Sequence, residues 1–321
     1  MTIHSLSIDS PGAPSSAAAE TALRQDIALI NRIKSTSNEN IKMASLCKKE
    51  TMLDYLYQAR KYYVENKQHT SIHVYDRMFL QDLINGEQKR KPGLLITLAN
   101  SAQEFTARII SLRKNKATLY HGQFIVNMGK EVHYAALDVF IANGNMSIIG
   151  NEPANMNSQG PKFLLLRLLA QVRDNFPAAR FVMMESDIQQ SPVDCAIFSL
   201  HFALKMHASK PLFAELHKQH INGDLNKHIR YGYISRKDVD HYLPVEFMKH
   251  TNSRKRLNSY FINNEKIAAI AKNKDLIIER QKRFTFDRGE RSYSASIEDK
   301  RIKFIERTIK SEPSGVKKLP E

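Results

Sequence analysis

Only two cysteines, Cys47 and Cys195, stand among 321 residues. One disulfide is arithmetically possible, but such sparse usage fits a reducing compartment better than a cross-linked scaffold. No Cys-x-x-Cys pair and no His/Cys cluster has zinc-ligand spacing, so no metal is expected. No stretch approaches the roughly 18 consecutive apolar residues of a membrane span. Residues 1–20 lack the basic start and apolar run of a Sec-type leader, and their Ser-, Ala- and Pro-rich composition predicts disorder. Internal repeats are absent as well.

What is abundant is positive charge. The formal net charge is +15, and residues 201–321 hold 26 Lys and Arg against 15 Asp and Glu. Most of the excess therefore lies in the last third, which points to a polyanionic partner: nucleic acid, an anionic membrane surface or a small polyphosphate. Nucleic acid is disfavoured, because the aromatics are not interleaved with the basic residues and no zinc-finger or RNA-recognition signature occurs. Beyond residue 287 the charge reads as a solubilising, flexible tail.

Periodicity divides the chain. ETALRQDIALINRIKS (20–35), KKETMLDYLYQARKYYVEN (48–66) and VYDRMFLQDLINGEQ (74–88) carry helical spacing, the last ended by Gly86 and followed by Lys89-Arg90-Lys91-Pro92. GLLITL (93–98) reads as a buried strand, and Ser101 with Glu104 forms a capping box for the next helix. QFIVNM, VHYAALDVFIA and NMSIIG follow as strands. Asn143-Gly144 between the last two marks a type I′ hairpin. A helix over 161–176 and the strand ARFVMMES come next, and helices return after residue 210. These pieces predict an α+β fold, with a core wrapped by helices from both ends of the chain.

The chemistry concentrates in SDIQQSPVDCAIFSLHFALKM (186–206). Ser191 as N-cap and Pro192 at the first helical position predict a helix from Pro192, with Cys195 in its first turn. Free N–H groups and the helix dipole favour a thiolate there. A buried structural cysteine fits this segment equally well. A nucleophile needs a base and the base an orienting acceptor. Hairpin pairing brings His133, before one strand, close to Glu152, at the end of the other. A satisfied structural histidine is the plainer alternative. Gln189, six residues before Cys195, is either an oxyanion donor or a solvent-facing turn residue.

The order His…Glu…Gln-x5-Cys resembles the clan of cysteine proteases that includes the ubiquitin-like-protein proteases. More narrowly, Val132-His133-Tyr134 with its hairpin, GNEPANMNSQGP (150–161) and DIQQSPVDCAIFSL (187–200) resemble the YopJ family of type III secreted effectors. The similarity spans roughly residues 75–260. It implies a cysteine-protease-like core, a central mixed sheet flanked by helices, with a helical regulatory subdomain from segments on both sides. The implied layout is a secretion-signal-like 1–20, regulatory 21–92 and 211–286, catalytic 93–210 and the tail 287–321.

The family's activity would be acetyl transfer from acetyl-CoA to Ser, Thr or Lys of host signalling proteins such as mitogen-activated protein kinase kinases, switched on by inositol hexakisphosphate. Such a protein would leave a bacterium by type III secretion and act in the host cytoplasm. Carried over, Cys195 is the acetylated nucleophile, His133 the base, Glu152 its partner and Gln189 the oxyanion residue. LPVEFMKHTNSRKR (243–256) resembles the family's Lys-His-x-x-Ser segment, with Asn252 where a glutamine is expected. Lys249 then matches an autoacetylated lysine, and Lys249, His250, Arg254, Lys255 and Arg256 become candidates for polyphosphate or CoA contacts. The rival expectation keeps the same triad in a protease acting on ubiquitin or ubiquitin-like conjugates.

Overall fold

The computed structural model describes residues 40–64, 71–114, 119–127, 133–264, 273–288 and 291–311. The disorder expected over 1–20, the helix over 20–35 and the end of the basic tail lie outside them. Among the described residues, helices α1 (Asn40–Val64) and α2 (Ile72–Arg90) precede β1 (Ile96–Ala99), α3 (Ala102–Lys114), β2 (Leu119–Asn127), β3 (Tyr134–Ala142) and β4 (Asn145–Glu152). Then come α4 (Gln159–Asn175), β5 (Arg180–Glu185), α5 (Cys195–Ala208) and α6 (Lys210–Asn222). Short strands β6 (Ile229–Arg230) and β7 (Tyr233–Ile234) lead to α7 (Arg236–Val239), α8 (Arg254–Asn263) and α9 (Asn273–Arg283). A hairpin of β8 (Thr285–Arg288) and β9 (Arg291–Ser294) precedes α10 (Ser296–Ser311).

The main sheet runs β1-β2-β3-β4-β5-β7-β6. Its centre is the antiparallel β2–β3–β4 meander, with β1 parallel to β2, and with β5 parallel to β4 and to β7. The hairpin turn has φ +50° at Asn143 and +79° at Gly144, the type I′ geometry expected of that dipeptide. It fixes the register through Ala142↔Asn145 down to Ala136↔Asn151. Side-chain alternation then feeds two cores. Tyr134, Ala136, Ile149, Val182 and Met184 face a layer containing α1, α2, α5 and α10. Ala135, Leu137, Val139, Ile148 and Met183 face α3 and α4.

Helix α5 lies inside the first layer, with Cys195 through Leu204 and Met206 all buried. A helix apolar on every side is stable only when enclosed like this. The Ser101 cap also forms: its Oγ accepts the Glu104 N–H at 3.0 Å, while Glu104 Oε2 reaches the Asn100 N–H at 2.9 Å.

Four expectations are corrected. Gly86 does not end its helix; α2 continues to Arg90 because α10 crosses there. A Cβ at Gly86 would meet Thr308 Oγ1 at 2.5 Å, so the glycine permits that close approach. The basic tail is folded over 296–311, where α10 packs against α1 and α2 with Phe304, Ile305 and Arg301 buried. The sheet does not stop at residue 210, since β7 and β6 extend it to residue 234. Finally, the cysteine helix starts at Cys195 rather than Pro192. The Ser191 Oγ closes a local turn by accepting the Val193 N–H at 3.3 Å, and Asp194 occupies the N-cap position.

Candidate active site

His133 directly precedes β3 and Glu152 ends β4. Continuing the hairpin register sets residue 135 opposite Glu152, so His133 is its diagonal neighbour on the same sheet face. The His133 Nε2 lies 2.8 Å from Glu152 Oε2, and both side chains are buried. The other carboxylate oxygen, Oε1, accepts the Ala154 N–H at 2.9 Å, which locks the rotamer. Gly160, in the first turn of α4, lies against the imidazole; a Cβ there would sit 3.4 Å from His133 Cγ.

Cys195 enters from the other layer as the first residue of α5. Its sulfur accepts a hydrogen bond from Gln189 Nε2 at 3.0 Å and also pairs with His133. Since Nε2 of the imidazole is held by Glu152, Nδ1 is left for the sulfur. Burial opposes charge on His133, but the Glu152 carboxylate and the Cys195 sulfur outweigh it and push its pKa up to about 10. An imidazolium between a carboxylate and a sulfur is therefore the favoured charge state at neutral pH. The first turn of α5 also leaves backbone N–H groups without helical partners beside the sulfur.

The Gln189 loop is fastened at several points. The N–H groups of Ile188 and Gln189 both donate to the Pro153 carbonyl at 2.8 Å, and the Ser186 N–H and hydroxyl donate to the Glu152 carbonyl. Asn252 accepts the Gln190 N–H at 3.2 Å and donates to the Ser294 carbonyl at 2.9 Å. The amide at 252 thus bridges the loop to the β8–β9 hairpin. Three of the four predicted residues, His133, Gln189 and Cys195, line an open cleft of about 430 Å³ together with Asn155 and Gly160, while Glu152 stays behind the imidazole. A second cavity of about 400 Å³ shares Asn155 and Gln190 with it and adds Arg236, Lys237 and Lys255.

The predicted polyanion residues separate. Lys249, Arg254 and Lys255 are exposed. His250 is buried, bonds Ser296 Oγ through Nδ1 at 2.7 Å and packs edge-on against His201. Burial, with neighbouring His201 and Arg280, holds it well below the ordinary histidine pKa, so it is a neutral core residue rather than a surface contact. Arg256 borders the second cavity, but its guanidinium is committed to Asp240 and to the Ser186 carbonyl.

A cationic cluster gathers around Lys249: partial desolvation of its ammonium first, then the charges of Arg280, Lys205 and Lys303, lowers its pKa although the residue as a whole is exposed. Burial, then the charge of Arg307, and also Lys91 and Lys249, brings Lys300 down to about 7 despite Glu87. Lys300, Lys303 and Arg307 belong to the segment expected to be a flexible tail, so sequence patterning alone does not bring the cluster together. Another polar cluster lies deeper, where His121, Asp138 and His217 bring ligand atoms within 4.8 Å of one another, a spacing that could hold a metal ion. Their imidazoles already bond Asp138, so the cluster is satisfied by itself.

The sequence model of the family described as YopJ Serine/Threonine acetyltransferase matches residues 52–307. The chain is 32% identical over 229 residues to the serine/threonine-protein acetyltransferase YopJ of Yersinia pestis, and 31% identical over 229 residues to that of Yersinia pseudotuberculosis. Each alignment covers 68% of this chain and 76% of the relative. Among solved structures, an AvrA deletion variant with IP6 and CoA is similar with a TM-score of 0.72 at 27% identity, covering 81% of this chain and 98% of that one. HopZ1a in complex with IP6 is similar with a TM-score of 0.66 at 18% identity, covering 91% of this chain and 98% of that one, a likeness of fold.

Proposed function

The chain belongs to the YopJ serine/threonine acetyltransferase family, and on that premise we propose that Cys195, His133 and Glu152 carry the acetyl transfer. The observation that supports this reading most directly is the sulfur of Cys195 meeting both the Gln189 amide and an imidazole fixed by Glu152, beside an open cleft. The thiolate attacks the thioester carbonyl of acetyl-CoA. Gln189 and the free N–H groups of the first turn of α5 hold the oxyanion, and His133 gives its proton to the departing CoA sulfur. His133, now neutral, takes the proton of a substrate hydroxyl or amine as that group attacks the acetyl-cysteine. Collapse returns the thiolate, and Glu152 stabilises the imidazolium that re-forms.

Acetyl-CoA is the donor in this reading, with its phosphates along the second cavity near Arg236, Lys237 and Lys255. The activator is inositol hexakisphosphate, taken by Lys205, Lys249, Arg280, Lys300 and Lys303, whose crowding a polyanion relieves. Lys249, an exposed amine with a lowered pKa, is the autoacetylation candidate. The substrates are Ser, Thr or Lys of host signalling proteins, mitogen-activated protein kinase kinases among them, met in the host cytoplasm after type III secretion.

Incubation with labelled acetyl-CoA and inositol hexakisphosphate tests the chemistry. Label on the protein is expected, and it disappears in Cys195→Ala. Absence of label together with cleavage of ubiquitin-like conjugates would instead establish the protease alternative. Saturating inositol hexakisphosphate is expected to raise the melting temperature, because it binds the assembled state; an unchanged value rejects the polyanion site.

A further inference from the structure

Arg301, on α10, is fully buried, as is Asp194, and Asp76 of α2 is 1% exposed. The guanidinium spans the two carboxylates. Its Nε and Nη2 donate to Asp76 at 2.7 and 2.8 Å, and Nη2 also donates to Asp194 Oδ1 at 2.6 Å. Tyr55 donates its hydroxyl to the same Asp76. Two carboxylates in a dry interior are thus paired to one guanidinium. Taking it away leaves uncompensated buried charge, which forces either hydration or displacement of the acids.

Asp194 is the residue before Cys195. Its carbonyl accepts the first bond of α5, from the Phe198 N–H at 3.0 Å, so any shift of Asp194 passes into the turn that carries the sulfur. The Gln189 contact to that sulfur is 3.0 Å, and a displacement of the cap by an ångström would remove it. Arg301 stands between Lys300 and Lys303 in sequence, so the helix that supplies lysines to the cationic cluster also supplies the buried cation.

We propose that Arg301 is a positioning residue for the nucleophile: through Asp194 it makes the placement of Cys195 depend on the docking of α10. This rests on the proposed polyanion site, and it names the route from that site to the sulfur. A polyanion that neutralises the lysines of α10 holds the helix down, and the guanidinium on its inner face fixes the cap of α5.

The test is the rate at which iodoacetamide alkylates Cys195, read by mass spectrometry on the Cys195 peptide, with and without inositol hexakisphosphate. Binding of the polyanion is measured in parallel by calorimetry. In the wild type the polyanion is expected to change this rate. In Asp194→Asn that response should shrink by about 10-fold while the polyanion still binds. Arg301→Lys, which keeps the charge but loses the fork, should give an intermediate response, and the double variant should be no worse than the poorer single one. A merely structural Arg301 would lower the melting temperature without altering the response. Hydrogen exchange on the wild type gives a variant-free check, since amides 195–198 should gain protection when the polyanion binds, and no gain overturns the inference. A full response in polyanion-bound Asp194→Asn, or defects that multiply in the double variant, overturns it too. If the polyanion fails to bind the wild type, the proposed site falls and the inference falls with it.

Discussion

Two histidine–carboxylate clusters occupy the same sheet and behave oppositely. At the end of the sheet His133 has Glu152 to itself, at 2.8 Å, and a sulfur on its other side. Deeper in, His121 and His217 share one carboxylate, Asp138, at 2.6 and 2.8 Å. His217 passes its other nitrogen to Ser147 Oγ at 2.7 Å, and Ser147 meets His220 at 2.9 Å. Hydrogen-bond geometry is nearly equal in the two places, yet His133 is raised to about 10 while His217 is lowered, chiefly by burial, and His220 falls to about 4. At His217 the bond and charge of Asp138 do not offset desolvation, and the neighbouring His121 adds to the lowering. The lesson is that a His–carboxylate pair is not a site by itself. An undivided counter-charge, a sulfur and an adjoining void separate the first cluster from the second.

Substitutions should widen that contrast. The largest effect is expected from Glu152→Gln, which should cut acetyl transfer by about 10²- to 10⁴-fold. It should also change the pH dependence of stability. His133 is raised from 6.5 to about 10, so its contribution is complete below about 6.5 and fades as pH rises towards 10. Melting temperatures across pH 6 to 10 should fall in the wild type and flatten in the variant.

Asp138→Asn should do the reverse, costing about 1–3 kcal/mol of stability by weakening the charge-assisted hydrogen bonds to His121 and His217, while transfer survives at permissive temperature. Burial pushes the Asp138 pKa up, but its bonds to His121 and His217 prevail and hold it at about 2. Its stabilisation is therefore present above about pH 3.8 and lost as pH falls through 2, a limb that acid denaturation of the variant should lack. Gly86→Ala comes next. The clash with Thr308 should cost about 1–3 kcal/mol, more than the roughly 1 kcal/mol that alanine gains in a helix, as read by urea denaturation. Ser101→Ala, the loss of a cap at the edge of α3, should cost about 1 kcal/mol and leave both clusters untouched.

Legibility follows the range of the forces involved. The β3–β4 hairpin is encoded by two adjacent residues, so Asn143-Gly144 located both strands and thereby set His133 near Glu152. The Ser101 cap is equally local. Gln189 and Cys195 lie six residues apart, close enough for a turn to join them. What could not be seen depends on distant partners. Ser191-Pro192 carries every local mark of a helix start, but Asp194 became the cap, turned towards an arginine 107 residues away. Gly86 has the composition of a terminator and serves as a notch for α10. The charge of 296–311 suggested solvent, whereas its apolar stripe is covered by α1 and α2. His250 and Arg256 sit in a basic run, yet both face inward, because helical and 3₁₀ turns put neighbouring side chains on different sides.

The Arg301 fork has a consequence for the order in which the molecule is built. Its two partners precede it by 225 and 107 residues, so both acids are synthesised well before the cation that neutralises them. A nascent chain containing α2 and α5 but not yet α10 holds two carboxylates that resist dehydration. Closure of the layer around α5 must wait for these long loops, a high-contact-order step that is slow for entropic reasons. The cysteine helix is thus expected to acquire its final cap among the last events of folding, and an interrupted chain would expose it unfinished.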